Sequence, residues 1–433
     1  MRYLKYFVIS AAILLLASCN IDDLANPNGS SIEGFNQNAS KSELQTLVTG
    51  MESLLRQEIG FYYDVTSIVG RDYYFFTGSD PRYTGEVLGK GESTLDNNGF
   101  YGNRPYYGRY KTVKNANVLI NAVNNTTLIT AEEANGYLGF AKTFQAYELH
   151  LALMLQYQNG IRLDVADPDN LGGFVTYDDA LAGILNILEE AKTNLQAAGA
   201  EFPFSLSAAM AGFDTPASFL KFNRGLAARI ALYQGNKAEV KKFLTDSFMD
   251  MAGDFGNGPA RFYSTAGGDF ANNLFRAPNQ ADAIIAHPSF VNDMTPGDDR
   301  ASKVALRDAP LSLDGLTGDY DVWVYKSLND FVPYMRNEEL ILIAAEANVG
   351  SDNAAAVNAI NVIRTGHGLA AYSGGTSDAE LMDEIMYQRR YSLFGEGHRW
   401  VDMRRWGRLG ELPIDRPGDD VWPNMPRPFS EGN

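Results

Sequence analysis

"RRYSLFGEGHRWVDMRRWGRL", Arg389–Leu409, gathers six arginines and two of the four tryptophans of a chain whose formal net charge is -17. An acidic protein that collects Arg and Trp in one place has built either a binding site or a joint. The spacing favours the joint. Asp402 lies three residues after Arg399 and three before Arg405, so on a helix both guanidinium groups can flank one carboxylate. Trp400, Met403 and Trp406 fall on an adjoining stripe. Gly395 and Gly397 mark a break from the preceding helix, and Glu396 can turn back to Arg389 or Arg390. Arginine suits such a place because its planar fork satisfies two carboxylate oxygens and stacks on indole rings. Arg389, Arg390, Glu396, Arg399, Trp400, Asp402 and Arg405 are therefore read as architecture that locks the C-terminal helices through buried, paired charge.

Outward from this stretch the chain is mostly α by pattern. Ser40-x-x-Glu43, Thr130-x-x-Glu133 and Ser377-x-x-Glu380 are capping boxes, and each precedes an apolar run at helical spacing. Residues 130–157 are apolar on most faces, which predicts a buried helix, with 177–196 as its partner. Residues 217–248 and 336–369 each read as helix, turn, helix, with turns at Gly235-Asn236 and Gly350-Ser351. These hairpins approach the ~34-residue length of a tetratricopeptide unit, without a strict consensus. Two stretches break the pattern: residues 60–110, rich in Tyr, Phe, Gly and Asn, and residues 252–332, rich in Gly, Asp and Pro. Stretches that long in a compact helical protein usually carry function or are locally structured.

The first residues read as an export signal. Arg2 and Lys5 precede an apolar run too short to span a bilayer, which ends in Leu16-Ala17-Ser18-Cys19. Small residues before a cysteine form the processing signature of bacterial lipoproteins, in which the thiol is acylated and becomes the new N-terminus. Residues 1–18 are then a signal peptide, Cys19 (the only cysteine) is the lipidated residue, 19–34 is a tether, and 35–433 is one helical domain with halves at about 35–250 and 251–433. The strong negative charge argues against nucleic acid and against anionic headgroups.

Catalytic signatures are missing. The sequence holds no G-x-S-x-G elbow, P-loop, dinucleotide fingerprint or H-E-x-x-H, and His150, His287, His367 and His398 lack zinc-ligand spacing. No catalytic residue, cofactor or metal ligand is assigned. Asp164, Asp167, Asp169 and Asn170 offer oxygens to calcium, but without EF-hand spacing, and a solvated polar turn is the better reading.

The order of motifs in the C-terminal half resembles the SusD/RagB family: Ala345-Glu346-Ala347, then Asn361-Val362-Ile363-Arg364, then the Arg389–Arg405 signature. The N-terminal half agrees more loosely, and two departures mark a divergent branch: no proline follows Gly160, and Gly366-His367 replaces the family's arginine. The resemblance implies a scaffold of tetratricopeptide-like hairpins with a ligand-binding face on long loops. It also implies a lipoprotein of the Bacteroidetes outer membrane, facing outward, that passes a glycan to a SusC-like TonB-dependent transporter. Peptide capture by the same fold is the alternative, and a surface glycoside hydrolase a more distant one. Within that frame the candidate ligand residues are Trp323 and Tyr325 in one segment, with Tyr74, Tyr83, Asn103, Arg104, Tyr106 and Tyr107 in the other.

Overall fold

The computed structural model describes Phe35 and residues 37–432; the signal peptide, Cys19 and the tether lie outside the described residues. Helices α1 (Lys41–Leu54) and α2 (Ile59–Val69) lead to strand β1 (Tyr73–Phe76). Then come α3 (Phe100–Asn125), α4 (Ala131–Gln156), the short pair β2 (Ile161–Arg162) and β3 (Phe174–Val175), and α5 (Tyr177–Ala197). Helices α6 (Pro216–Tyr233) and α7 (Lys237–Thr245) close the N-terminal half. After β4 (Ala260–Arg261), β5 (Ala283–Ala286) and α8 (Pro288–Asn292) come β6 (Val304–Leu313), β7 (Leu316–Val322) and β8 (Val332–Pro333). The chain finishes with α9 (Asn337–Asn348), α10 (Asn353–Gly366), α11 (Asp378–Ser392) and α12 (Arg399–Arg405).

Local chemistry starts these helices where the capping boxes place them. The Ser40, Thr130 and Ser377 hydroxyls each accept from the backbone N–H three residues on, and each glutamate returns to the cap. Helix α4 is buried on almost every face, between α3 and α5, and α6 packs on α5. In the second half α9 plays the same part, packed against α7, α10 and α11. Gly235 and Gly350 follow α6 and α9 with φ of 73° and 81°, where a side chain would be strained, so both hairpins turn on glycine.

Two expectations need correction. Residues 60–110 are not irregular throughout: α2 occupies 59–69, and α3 begins at Phe100. Tyr, Gly and Pro105 disguise its first turns, because Pro105 costs a backbone hydrogen bond that burial of Tyr101 and Tyr106 outweighs. Residues 252–332 contain most of an antiparallel sheet of order β1-β5-β7-β6, registered at Tyr73↔Ala286, Ile285↔Asp321 and Val304↔Val322. The hairpin β6–β7 turns at Asp314-Gly315, both at positive φ.

The last residues run back across the first half as a strap. Asp420 N–H donates to the Leu88 carbonyl (2.9 Å), Met425 to Leu155 (2.8 Å) and Phe429 to Asn97 (3.0 Å), and the Trp422 indole donates to the Glu86 carbonyl (2.9 Å). Among the described residues no helix is long and apolar enough to cross a membrane.

Candidate functional site

The Arg/Trp stretch forms an internal lattice. Arg389 on α11 donates to Asp402 on α12 at 2.7 Å, and Arg405 reaches the same carboxylate at 2.8 Å and Glu346 on α9 at 2.7 Å. The Trp406 indole adds a bond to Glu346 (3.1 Å), and Trp400 is fully buried with its indole on the Trp422 carbonyl (2.7 Å). Burial alone would raise the carboxyls of Asp402 and Glu346, but the arginines overcome it and hold both below the usual range. Arg404, the neighbour, spends its donors on the carbonyls of Met154 and Pro423.

Two pairings differ from those the spacing suggested. Arg399 does not flank Asp402; it caps α2 by donating to the Gly70 carbonyl (2.9 Å), and Arg389 takes its place. Glu396 turns away from Arg389 and Arg390 and pairs with Arg336 at 2.6 Å, while Arg390 goes to Asp293 (3.0 Å). Positive φ at Gly395 and Gly397 re-aims the chain between the helices, which separates Glu396 from α11.

That re-aimed glutamate opens the candidate site. An open cleft of about 560 Å3 lies between the 323–331 segment and the start of α9, lined among others by Tyr325, Asn329, Phe331, Lys303, Arg336 and Glu396. Its floor is charged. Arg336 bridges Glu396 and Glu338 and also donates to the Ser392 carbonyl (2.7 Å). His367 holds the other oxygen of Glu338 (2.7 Å) and Asp299 (2.7 Å). Burial would raise the Glu338 carboxyl, yet Arg336 and His367 hold it well below the carboxylate range. A carboxyl so held is a poor proton donor.

The rim is aromatic and well braced. Buried Asn272 ties the two rim segments together, its N–H to the Leu328 carbonyl (2.8 Å) and its side-chain amide to the Asp330 carbonyl (2.9 Å). Thr265 N–H adds a bond to the Asn329 side chain (2.9 Å). Phe270, Leu328 and Phe331 are each 42 % exposed; of the three, Phe331 lines the cleft, its ring 5.4 Å from Phe262.

The sequence-derived ligand residues divide sharply. Tyr325 lines the cleft, although its ring is 9 % exposed. Trp323 is half-buried against Phe275 at 5.7 Å, with the Lys326 amine 4.9 Å from its ring; it braces the rim segment. Tyr74, Tyr83 and Tyr106 are corrections: they belong to the core, where Tyr74 stacks on Phe76 and Tyr83 packs on Phe75. Helical spacing turns Tyr106 inward from α3, β1 is buried on both faces and takes Tyr74 with it, and Tyr83 is enclosed by Phe75 and Phe100. Arg104 is exposed but pairs with Glu58 (2.8 Å) and lies 4.0 Å over Phe61. Asn103 bonds to Asn98, and Tyr107 meets Ser430. None of these six lines the cleft. Phe331, Lys303 and Arg336 escaped the sequence reading, because a single Phe or Lys in a polar loop has no periodic signal. Among the described residues no group of three or more acidic, His or Cys side chains is placed to hold a metal; Asp167 folds back onto the Asp169 N–H (3.0 Å).

Residues 240–427 match the model of the SusD family. The whole fold is shared with solved structures at low identity. A SusD superfamily protein from Bacteroides vulgatus ATCC 8482 is 15 % identical with a TM-score of 0.68, covering 90 % of this chain and 96 % of its own. Surface glycan-binding protein A from Bacteroides uniformis is 15 % identical with a TM-score of 0.67, covering 90 % and 97 %. Its namesake from Bacteroides thetaiotaomicron, in complex with laminarihexaose, is 14 % identical with a TM-score of 0.67, covering 91 % and 97 %. None of the curated proteins matches in sequence. The fold is a mostly helical scaffold of the SusD kind, and residues 240–427 carry the sequence pattern of the SusD family.

Proposed function

We propose that this protein is a lipid-anchored receptor on the outer face of the outer membrane, that it captures a glycan, and that it delivers it to a SusC-like TonB-dependent transporter. The observation that carries the reading is the cleft: the exposed Phe331 ring on a braced rim beside a floor dense in hydrogen-bonding groups, on a SusD-like scaffold. Sugars ask for that pairing, since their C–H faces pack on rings while their hydroxyls need directed polar partners. The structural neighbour bound to laminarihexaose supports the glycan class. The Leu16–Cys19 signature supports the anchor, and the anchor explains how the receptor stays beside its transporter.

The test has two arms. A glycan array probed with the full chain should give binding that Phe331→Ala weakens. Detergent extraction of the tagged, lipidated protein from its native membrane should bring a TonB-dependent transporter with it. Binding to peptides but to no glycan would replace the ligand class, and elution without a transporter would sink the delivery role.

A further inference from the structure

Lys303 is the cation that the cleft leaves without a carboxylate. Its ammonium donates to the backbone carbonyls of Tyr391 (2.9 Å) and Ser392, closing the C-terminal end of α11. An ammonium has three donors, so one remains, and Lys303 is one of the residues that line the cleft. Every other ionic group on the floor is spoken for: Arg336 is shared by Glu338 and Glu396, and the second oxygen of Glu338 is held by His367. Among the described residues no carboxylate forms an ion pair with Lys303. A positive charge has thus been drawn out of water, given two neutral partners, and left with a donor beside a cavity.

We propose that Lys303 receives a carboxylate carried by the captured glycan, so that the cleft prefers acidic sugars to their neutral counterparts. The proposal rests on the glycan-capture reading above. A charge-assisted bond from the remaining donor is the contact that a buried ammonium lacks here. A singly charged group fits better than a multiply charged one, because only one donor remains and Glu338, Glu396 and Asp330 stand close by. The Phe331 ring would hold the sugar face, and Lys303 its charged substituent. The amine's own state agrees: burial, and then the neighbouring Arg336, push it down to about 8. Glu338 and Glu396 act in the opposite sense, and Arg300 in the same sense as Arg336.

The experiment is calorimetry on the full chain with trigalacturonate and sialyllactose, each beside its neutral counterpart, galactotriose and lactose. At least one acid should bind about tenfold or more tighter than its counterpart at pH 7. That advantage should fade as pH rises past about 8, where the free amine loses its charge. Lys303→Gln keeps donors for the Tyr391 and Ser392 carbonyls but removes the charge, and should bring the acid-to-neutral ratio towards one; Lys303→Arg should preserve it. The pH series uses the unaltered chain, so it decides the matter even if a variant folds poorly. The two acids separate a uronate from an ulosonate source. Neutral sugars that bind with no acidic advantage, or an advantage that survives Lys303→Gln, overturn this proposal and leave glycan capture standing. An array without any bound glycan overturns both.

Discussion

Two charged regions meet at Gly395–Gly397 and behave oppositely. On one side, Arg389, Asp402, Arg405 and Glu346 form a buried lattice in which every charge faces an opposite charge. On the other, Arg336, Glu338, Glu396 and Lys303 form the floor of an open cleft, with one cation unpaired. Composition alone does not separate them, since both are Arg and Glu on the same group of helices. What separates them is whether the set of partners is closed. The lattice is closed in charge and sealed from solvent, so it offers nothing to a ligand even though one Arg389 guanidinium nitrogen lacks a hydrogen-bond partner, and its members are worth most when all are present. An open set keeps a donor in reserve.

The comparison breaks first if the lattice is not cooperative. Asp402→Ala would leave Arg389 and Arg405 facing each other in the interior, and should destabilise the fold by about 3–5 kcal/mol. Urea unfolding measures this, and a loss under 1 kcal/mol would mean the charges are solvated. The next largest effect concerns Asp72, where lattice and sheet touch. One of its oxygens accepts only the Gly395 N–H (3.3 Å) and the other has no partner. Burial pushes its carboxyl up to about 6, against a lowering by Arg399. A folded value above the unfolded one means stability that is fully present below pH ~4 and lost as pH rises through about 6. Asp72→Asn should flatten that loss, on the order of 2 kcal/mol, in unfolding midpoints compared at pH 4 and pH 7.

The cleft side predicts smaller effects on stability and larger ones on binding. Phe331→Ala should cost about tenfold in glycan affinity with little change in Tm, because its ring is nearly half exposed. A melting temperature that falls with the affinity would move Phe331 to the lattice side of the comparison. Smallest is Ser377→Ala, which removes the cap of α11 and should cost about 1 kcal/mol without touching affinity.

These contrasts also mark what the sequence could tell. The helices were legible because capping boxes and 3.6-residue periodicity are local signals, as Ser40, Thr130 and Ser377 demonstrate. Crowding of Arg389–Arg405 around one aspartate foretold paired charge. The identity of the pairs did not follow, because Glu346 and Arg336 lie more than forty residues from their partners and only tertiary structure brings them close. Local composition misled at Tyr106, where aromatic and glycine content resembled a binding loop and the chain was a buried helix. It was silent at Lys303 and Phe331, whose roles come from the cavity they border.

The strap of Asp420, Trp422, Met425 and Phe429 bears on how the chain is made. A ribosome delivers these residues long after the segments they bind, for their bonds go to Leu88, Glu86, Leu155 and Asn97. A nascent chain interrupted near residue 412 would hold every helix and still lack the tie that joins its end to its beginning. Products cut short before the strap should therefore stay open to proteases.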